Sequence, residues 1–391
     1  MMMMMLLLLL FATCAVSHAA VYYVATTGND SAPGTQAQPW KTISHAAGAV
    51  STGDTVVVGD GTYVETVHMG HSGTSGSRIT FQAQNKWRAT IAPTATQLAA
   101  LSQIAVDINA AYVTFQNFEV MGPSDGSAYL GIKCNGGDYC NVIGNKVHQI
   151  GVSTASCPSG AAIEIASNND VVNGNYIYNV SPPRTAGFRC NHEQGLYITA
   201  GNNGTFRNNI IFECWQCVAL QLDGGSYSNW TISNNTIFNV GDTGHSSGAA
   251  IYFNCYSGTC DNNIFNNNTF DNVQNMCIQG VQGAGGVMGT HNQYADNLFN
   301  SCAGGNTLIT GSLSGSVNAD PLFVNYTGDQ TGDYHLQSGS AAIKAGTTVG
   351  ASSTDFDGSA QTSPPTIGAL LQASGSGSLP AAPTALTAAA H

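Results

Sequence analysis

One six-residue phrase, an Asn followed two and five residues later by an apolar residue, occurs six times in the chain. The copies begin at Asn145, Asn175, Asn209, Asn235, Asn268 and Asn297, with spacings of 30, 34, 26, 33 and 29 residues. A fixed core phrase with variable spacing is typical of a solenoid in which each copy forms one coil. Because Asn tolerates a left-handed bend and its amide both donates and accepts, the phrase predicts an asparagine ladder along the solenoid axis.

A second phrase, small-apolar-X-apolar, recurs between the Asn phrases. It occupies residues 105–108, 131–134, 162–165, 195–198, 219–222 and 250–253. This alternation predicts short strands with apolar residues inward and the middle residue outward. Short strands and Gly-rich bends, with no long amphipathic helix, predict an all-β fold, a right-handed parallel β-helix in which each coil pairs with its neighbours. A β-propeller is excluded because its blades need about 40–45 residues and four strands each.

Three regions are distinguished by composition. Residues 1–20 contain a Leu run followed by small residues and are predicted to be a signal peptide. Residues 21–370 are predicted to be the β-helix domain, with a short helix within residues 39–50 capping the open N-terminal end of the solenoid. Residues 371–391 are rich in Ser, Gly, Ala and Pro, which is typical of a flexible tail or linker.

Charge and hydropathy limit the partners of the chain. Asp and Glu outnumber Lys and Arg by 22 to 10, giving a net charge of −12. This balance argues against general nucleic-acid binding, which requires basic patches. Beyond the signal, no segment approaches the roughly 20 apolar residues of a membrane span. We therefore expect a secreted or periplasmic monomer.

Ten cysteines follow Cys14 of the predicted signal, and an even number in an exported chain favours disulfides. Cys134 with Cys140 and Cys255 with Cys260 are expected to close local loops. Cys214 and Cys302 end Asn phrases and are expected to be core residues. The Cys214-Trp-Gln-Cys217 pair has redox or zinc spacing, but it lacks a second pair.

Both ends of the predicted domain contain recognisable motifs. The N-terminal motifs are Tyr-Tyr-Val-Ala-Thr-Thr-Gly-Asn-Asp (22–30), Pro-Trp-Lys-Thr-Ile (39–43), Gly-Asp-Thr-Val (53–56) and Gly-Thr-Tyr (61–63). The C-terminal motifs are Asp-Pro-Leu-Phe (320–323), Tyr-His-Leu (334–336), Ser-Ala-Ala-Ile (340–343) and Asp-Phe-Asp-Gly (355–358). These motifs resemble the ends of secreted right-handed β-helix proteins of the pectate-lyase-like and alginate- or chondroitin-lyase-like families. The resemblance implies a carbohydrate-active scaffold and leaves subfamily and substrate open, because fold alone does not fix function.

The outward residues of the second phrase are expected to form a column, since neighbouring strands lie about 4.8 Å apart. They are Asp107, Lys133, Glu164, Tyr197, Gln221 and Tyr252. Such a face suits an extended polymer, and the resemblance implies a lyase that acts on a uronic acid. In that chemistry a Lys or His removes the C5 proton while a cation neutralises the carboxylate.

Lys133 and His192 are the candidate bases, and Tyr197 is the candidate acid or sugar-stacking platform. Arg189, in a long insertion, is the candidate carboxylate clamp. For Lys133 the alternative is a salt-bridge ladder with its carboxylate neighbours. For His192 it is an ordered loop pinned by Cys190.

Two further classes of function stay open. Glu164 with Asp223 or Glu193 gives the carboxylate pair of a glycoside hydrolase, although Asp223 is also explained as a turn residue. Whichever chemistry applies, the candidate substrate-binding residues are Arg189, Asp107, Glu193, Gln221, Asp223 and Tyr252. A non-catalytic glycan-binding or adhesion β-helix is the other class, and an epimerase shares the first proton transfer of a lyase.

No metal ligand set is assigned from the sequence. Asp138, Asp170 and Asp261 lie in Gly- or Asn-rich bends, where carboxylates and carbonyls suit Ca²⁺. The alternative is that they are structural turn residues, because no short Asp-x-Asp-x-Asp spacing accompanies them. Calcium is therefore a candidate cofactor only.

Overall fold

The computed structural model describes residues 19–152, 160–181, 193–214, 218–223, 225–241, 248–309 and 313–373. The predicted signal peptide and tail lie almost entirely outside this part of the chain. The first half contains β1 (Val21–Val24), α1 (Ile43–Ala49), β2 (Thr55–Val58), β3 (Gly61–Tyr63), β4 (Val67–Met69), β5 (Ile79–Ala83), β6 (Ala89–Ile91), α2 (Ala95–Ala100), β7 (Ile104–Ile108), β8 (Val113–Gln116), β9 (Glu119–Met121), β10 (Leu130–Cys134), β11 (Asn141–Ile143), β12 (Lys146–Ile150), β13 (Gly160–Ala166), β14 (Val171–Asn173), β15 (Tyr176–Val180) and β16 (Glu193–Ala200). The second half contains β17 (Thr205–Arg207), β18 (Ile210–Ile211), β19 (Val218–Leu222), β20 (Thr231–Ser233), β21 (Thr236–Val240), β22 (Ile251–Cys260), β23 (Ile264–Asn266), β24 (Thr269–Val273), β25 (Ile278–Met288), β26 (Tyr294–Ala295), β27 (Leu298–Cys302), β28 (Thr307–Leu308), β29 (Leu313–Ser314), β30 (Val317–Asn318), β31 (Phe323–Asn325) and β32 (Asp333–Leu336).

Three long parallel sheets form the walls of a solenoid. Sheet I has the order β1-β2-β5-β8-β11-β14-β17-β20-β23, sheet II β4-β7-β10-β13-β16-β19-β22-β25-β28, and sheet III β3-β6-β9-β12-β15-β18-β21-β24-β27-β30. Successive strands of one sheet come from successive coils, so each coil contributes one strand to each wall. The predicted parallel β-helix is therefore confirmed.

The core consists of apolar residues aligned by strand register. In sheet I, for example, Phe81, Phe115, Val142 and Val172 are neighbours in successive strands. All four are at most 1% exposed. Burying a Val or Phe side chain contributes about 1.5–3 kcal/mol, so each added coil extends a continuous stabilising stack.

The asparagine ladder is confirmed at all six predicted positions. Asn145 donates from its backbone N–H and its side-chain amide to Asn175 Oδ1, at 2.9 and 3.3 Å. The same pair of bonds recurs up to the last rung, where Asn268 donates to Asn297 Oδ1 at 2.9 and 3.1 Å. All six side chains are fully buried. Each rung therefore satisfies donors of its neighbour that water cannot reach.

The left-handed bend is one residue away from its predicted place. The ladder Asn residues do not have positive φ; the residue before each one does. These corner residues are Gly144, Gly174, Asn208, Asn234, Asn267 and Asp296. A left-handed corner residue turns the chain, and the next Asn then directs its amide inward, so the ladder and the bend need two different residues.

The predicted N-terminal cap is confirmed as α1. Thr42 caps it by accepting from His45 N at 3.1 Å, and Glu65 accepts from the first two helical N–H groups, of Ile43 and Ser44, at 2.9 Å each. A carboxylate at this end also interacts favourably with the helix dipole. The short helix α2, with a Thr94–Gln97 capping box, is an additional element.

Three disulfides link described residues. Cys134–Cys140 and Cys255–Cys260 confirm the predicted local closures. The core interpretation of Cys302 was wrong, because Cys302 is bonded to Cys277, 25 residues away. Cys214 is also disulfide-bonded, so it is not simply a core thiol either. Cys217, the other half of the CxxC pair, lies outside the described residues.

The C-terminal segment, residues 319–373, follows the last strand of sheet III and folds back over the outside of the solenoid. Its antiparallel pair β31–β32 packs Phe323 and Tyr334 against Phe238 of sheet III. Corner side chains hold the rest of the segment: Asn234 Nδ2 donates to Thr366 O at 3.0 Å, and Asn267 Nδ2 to Thr347 O at 2.8 Å. Sheet III is thereby covered, while the outward face of sheet II carries the predicted column.

Candidate functional site

The predicted column exists on sheet II. Strand register aligns Asp107 with Lys133, Lys133 with Glu164 and Glu164 with Tyr197. It continues from Tyr197 to Gln221 and from Gln221 to Tyr252. Six side chains from six coils therefore follow one line parallel to the solenoid axis.

Lys133 and Glu164 form the central ion pair of this column. Lys133 Nζ lies 3.0 Å from Glu164 Oε1, and the two side chains are 21% and 13% exposed. The alternative, a salt-bridge ladder of Lys133 with both neighbouring carboxylates, is found on one side only. Lys133 pairs with Glu164, whereas Asp107 pairs with a histidine. A cation that sits beside one carboxylate and faces solvent can also hold the carboxylate of a ligand.

His68 extends the column by one strand and was missed in the sequence. It aligns with Asp107, and its Nδ1 lies 2.8 Å from Asp107 Oδ2. Half of the His68 side chain is exposed, whereas that of Asp107 is 11% exposed. An imidazole oriented through Nδ1 by a carboxylate presents Nε2 outward, an arrangement suited to proton transfer. The apolar–polar–apolar alternation of Val67-His-Met69 is the sequence signal that could have identified His68 as an outward residue of a strand.

Tyr197 lies between two carboxylates. Burial raises the pKa of its phenol, and the charges of Asp223 and Glu164 raise it further. The phenol is therefore protonated at neutral pH, as a proton donor must be. Burial and Asp223 likewise raise the pKa of Tyr252.

Asp223 belongs to the same face and is more than a turn residue. Its carboxylate oxygens accept from Gln221 Nε2 and Asn254 Nδ2, at 3.0 Å each. Gln221 in turn accepts from Gln194 Nε2 at 3.0 Å. Because Gln221 is two strands from Glu164, Asp223 lies two coils along the axis and two residues along the strand from Glu164.

An open groove lies beside the column, where the chain leaves the strands of sheet II. Its volume is about 650 Å³, and residues 136–138, 166–168, 199–202, 225–226 and 257 line it. Most of these residues are Gly, Ala, Ser, Thr or Asn. Small polar residues over five coils leave a trough whose hydrogen-bonding groups suit a hydroxyl-rich ligand.

The side chains of three predicted site residues lie outside the described part of the chain. Arg189 and His192 lie outside the described residues. Glu193 begins strand β16 and pairs with Gly160, but its side chain also lies outside the description. Their roles stay predictions.

The three carboxylates considered for calcium accept hydrogen bonds from nearby donors. Asp138 accepts from Asn168 N at 3.0 Å, and Asp261 accepts from His291 N at 2.8 Å. Asp170 accepts from Cys140 N and Ser167 Oγ at 2.7 Å each, and burial raises its pKa to about 7. Within the described ranges, no three His, Cys, Asp or Glu side chains are grouped to hold a metal ion.

Parallel walls, one strand per coil per wall and an internal Asn ladder define a protein of the parallel β-helix class. Residues 22–216 match the family described as "Pel9A-like, right handed beta helix region". The matched part of the chain is therefore similar to this Pel9A-like right-handed β-helix family.

Solved structures with related folds include pectate lyase Pel9A, which is 15% identical with a TM-score of 0.46 and matches 92% of this chain and 98% of its own. An alginate lyase from Paenibacillus sp. str. FPU-7 is 15% identical with a TM-score of 0.46, covering 77% and 99% of the two chains. The pectin methylesterase PemA from Erwinia chrysanthemi is 10% identical with a TM-score of 0.41, covering 74% and 92%.

A curated relative, the "Uncharacterized protein YwoF" of Bacillus subtilis (strain 168), is 43% identical over 60 residues. That stretch spans 15% of this chain and 13% of the relative. Among the described residues, none of the helices has the length and apolar character needed to cross a membrane.

Proposed function

We propose that this chain is a secreted polysaccharide lyase that cleaves a uronic-acid-containing polymer by β-elimination. The observation that carries the proposal is the position of Lys133 and Tyr197 on either side of Glu164, on the open face of sheet II beside the groove. The Pel9A-like scaffold, the predicted signal peptide and the three disulfides support secretion and carbohydrate as the substrate class.

The reaction needs a base, an acid and a cation. The base takes the C5 proton of the uronic acid, the electron pair forms the C4–C5 double bond, and the C4–O bond breaks. Tyr197, kept protonated by burial and by Asp223 and Glu164, gives its proton to the leaving oxygen. The cation neutralises the uronic carboxylate and makes the C5 proton more acidic.

Lys133 or His192 is the proposed base, and Arg189 the proposed carboxylate clamp. In its charged form Lys133 is paired with Glu164, so it must lose a proton before it acts as a base.

A second candidate, glycoside hydrolysis, is favoured by one observation: Glu164 aligns with Tyr197 on one side, and Asp223 follows the strand that pairs with Tyr197 on the other side. Two carboxylates on either side of a bound sugar are the requirement of a glycosidase, at about 5–5.5 Å for retention and about 6.5–9.5 Å for inversion. The offset of two coils, about 9.6 Å along the axis, argues against a retaining pair and lies at the upper limit for an inverting one.

The test is a panel of pectate, alginate, glucuronan, glycosaminoglycans and neutral glycans, with and without Ca²⁺. Absorbance near ~235 nm reports the unsaturated product of elimination, and a reducing-end assay reports any cleavage. Growth of both signals on a uronic polymer supports the lyase. Reducing ends without absorbance support the hydrolase instead, and binding without either product points to a glycan-binding module.

A further inference from the structure

Two tyrosines from neighbouring coils stack at the corner where the chain passes from sheet II to sheet I. The ring centroids of Tyr112 and Tyr139 are 4.5 Å apart, and the ring planes differ by 8°. The separation matches the distance between adjacent strands, so each ring lies level with its own coil. Tyr139 is 38% exposed, which is a large exposure for an aromatic side chain.

The backbone gives no reason for an aromatic residue here. Tyr112 and Tyr139 have φ of 54° and 65°, in the left-handed region. Later coils repeat this conformation with Asn at the same corner: Asn169 (62°), Asn203 (62°), Asn229 (61°) and Asn262 (57°). Asn tolerates the left-handed region, whereas a bulky residue there is strained by about 1–3 kcal/mol. Strain of this kind is characteristic of functional positions.

Arg78 supports the pair from one side. Its guanidinium carbon lies 5.8 Å from the centre of the Tyr112 ring. It donates from Nη2 to Val113 O at 2.9 Å and to Tyr139 O, and from Nε to Thr114 Oγ1 at 3.0 Å. One face of Tyr112 is therefore occupied by a fixed cation and the other by Tyr139.

The far face of Tyr139 is turned toward the coil of Asn169, where the aromatic stack stops. In the described part of the chain, no second aromatic ring or cation packs on that face. Tyr139 directly follows residues 136–138, which line the groove, and its N–H donates to the carbonyl oxygen of Asn168, another lining residue, at 2.9 Å. Tyr139 thus lies beside one end of the groove, with 38% of its surface exposed.

We propose that Tyr139, supported by Tyr112 and Arg78, is a stacking platform for one sugar ring of the polymer held in the groove. The C–H bonds on the apolar face of a pyranose carry partial positive charge and pack on the negative face of an aromatic ring. A ring that stacks on Tyr112, which is itself backed by Arg78, loses little freedom on binding. The site rests on the proposed function for its substrate class, and it deepens that function by locating a subsite away from the reacting atoms.

Tyr139→Asn is the decisive variant, because it installs the residue that four later coils use at the same backbone conformation. The variant should therefore fold with an unchanged or higher thermal midpoint. Its affinity for the polymer should fall roughly tenfold, measured at 4 °C by retardation in native gels containing polygalacturonate, alginate or xylan. Tyr139→Phe is the matched control, since it retains the aromatic face and should be retarded like the unaltered chain.

Equal retardation of Tyr139→Asn and the unaltered chain overturns the platform, and so does the absence of retardation of the unaltered chain in all three polymers. Because the gels measure binding without turnover, a failure of the platform can be distinguished from a failure of the proposed lyase activity. A chain that binds through Tyr139 but yields neither unsaturated product nor reducing ends keeps the platform and overturns the lyase. Turnover with an unaltered KM in Tyr139→Asn overturns only the platform.

Discussion

Lys133 Nζ lies 3.0 Å from Glu164 Oε1, across two adjacent strands of sheet II. The pair occupies the middle of a column that also contains Asp107 and Tyr197. Removing Lys133 therefore tests the site at its centre. We expect Lys133→Ala to lower turnover of a uronic polymer at least ~100-fold, and the unfolding free energy by only about 1 kcal/mol.

Lys146 offers a matched control for this variant. It forms an equivalent ion pair with Glu119 at 2.5 Å, with side chains 22% and 17% exposed, but on sheet III. Lys146→Ala should leave the absorbance assay unchanged. A fully active Lys133→Ala variant would remove Lys133 from the mechanism.

Asn235 tests the internal ladder. Its Oδ1 accepts from the backbone N–H and the amide of Asn209, at 2.9 and 3.1 Å. Asn235→Ala leaves the buried backbone N–H of Asn209 without its acceptor and removes the amide that donates to Asn268 Oδ1. We therefore expect a loss of roughly 2–4 kcal/mol, measured by denaturant unfolding. Asn85→Ala, at an exposed Asn bonded to Asp60, should change stability by less than about 0.5 kcal/mol. Equal effects of the two substitutions would argue against a stabilising ladder.

His335 connects two parts of the C-terminal segment, through Nδ1 to Asp333 at 2.7 Å and Nε2 to Asp357 at 2.9 Å. The hydrogen bond to Asp357 is the main cause that raises the pKa of His335 to about 9. Since the folded pKa exceeds the unfolded value of about 6.5, the stabilisation is complete below about pH 6.5 and is lost as pH rises through about 9.

The thermal midpoint should therefore fall more between pH 6.5 and 9 in the unaltered chain than in His335→Gln. His291→Gln, which removes an exposed His bonded to Asp261, is the control and should keep the full dependence. Parallel pH curves for the unaltered chain and His335→Gln would contradict the assignment.

Asp170 occupies a corner position that two later coils fill with Asn, at Asn263 and Asn292. It accepts from Cys140 N as Asn263 accepts from Trp230 N, and burial raises its pKa to about 7. A buried acid with a raised pKa favours folding only while it is protonated. Its contribution falls between the unfolded value near 4 and pH 7, and stays low above pH 7.

Asp170→Asn should therefore raise the thermal midpoint more at pH 8 than at pH 4. Differential scanning at the two pH values measures this. The alternative outcome, a lower midpoint at pH 8, would mean that the carboxylate stabilises the coil when ionised.

The repeated phrases determined most of what was predicted correctly. An Asn phrase and a period-two phrase in each coil fix strand register, so the column from Asp107 to Tyr252 followed from the sequence alone. The ion pairs within the column could not be predicted in the same way, because Lys133 has a carboxylate on both sides. Only the geometry shows that Lys133 pairs with Glu164 and that Asp107 pairs with His68.

Two other features were beyond sequence reasoning for physical reasons. Cys277 and Cys302 are 25 residues apart, so their proximity arises from coil stacking and not from a local loop. The docking of residues 319–373 on sheet III depends on corner side chains such as Asn234 and Asn267, which look like ordinary turn residues in the sequence. Tyr139 was also not identified from the sequence. A Tyr at this corner is unusual only in comparison with the Asn residues that later coils have at the same position.

The C-terminal segment also affects how the solenoid responds to load. A bare solenoid can unzip from one end, since each coil contacts only its neighbours. Here Asn208, Asn234 and Asn267, from three successive coils, all bond to the same returning segment. A force that pulls the last coil away must break these three attachments as well. The segment therefore reinforces the C-terminal half of the solenoid, which unfolds under force as one mechanical unit.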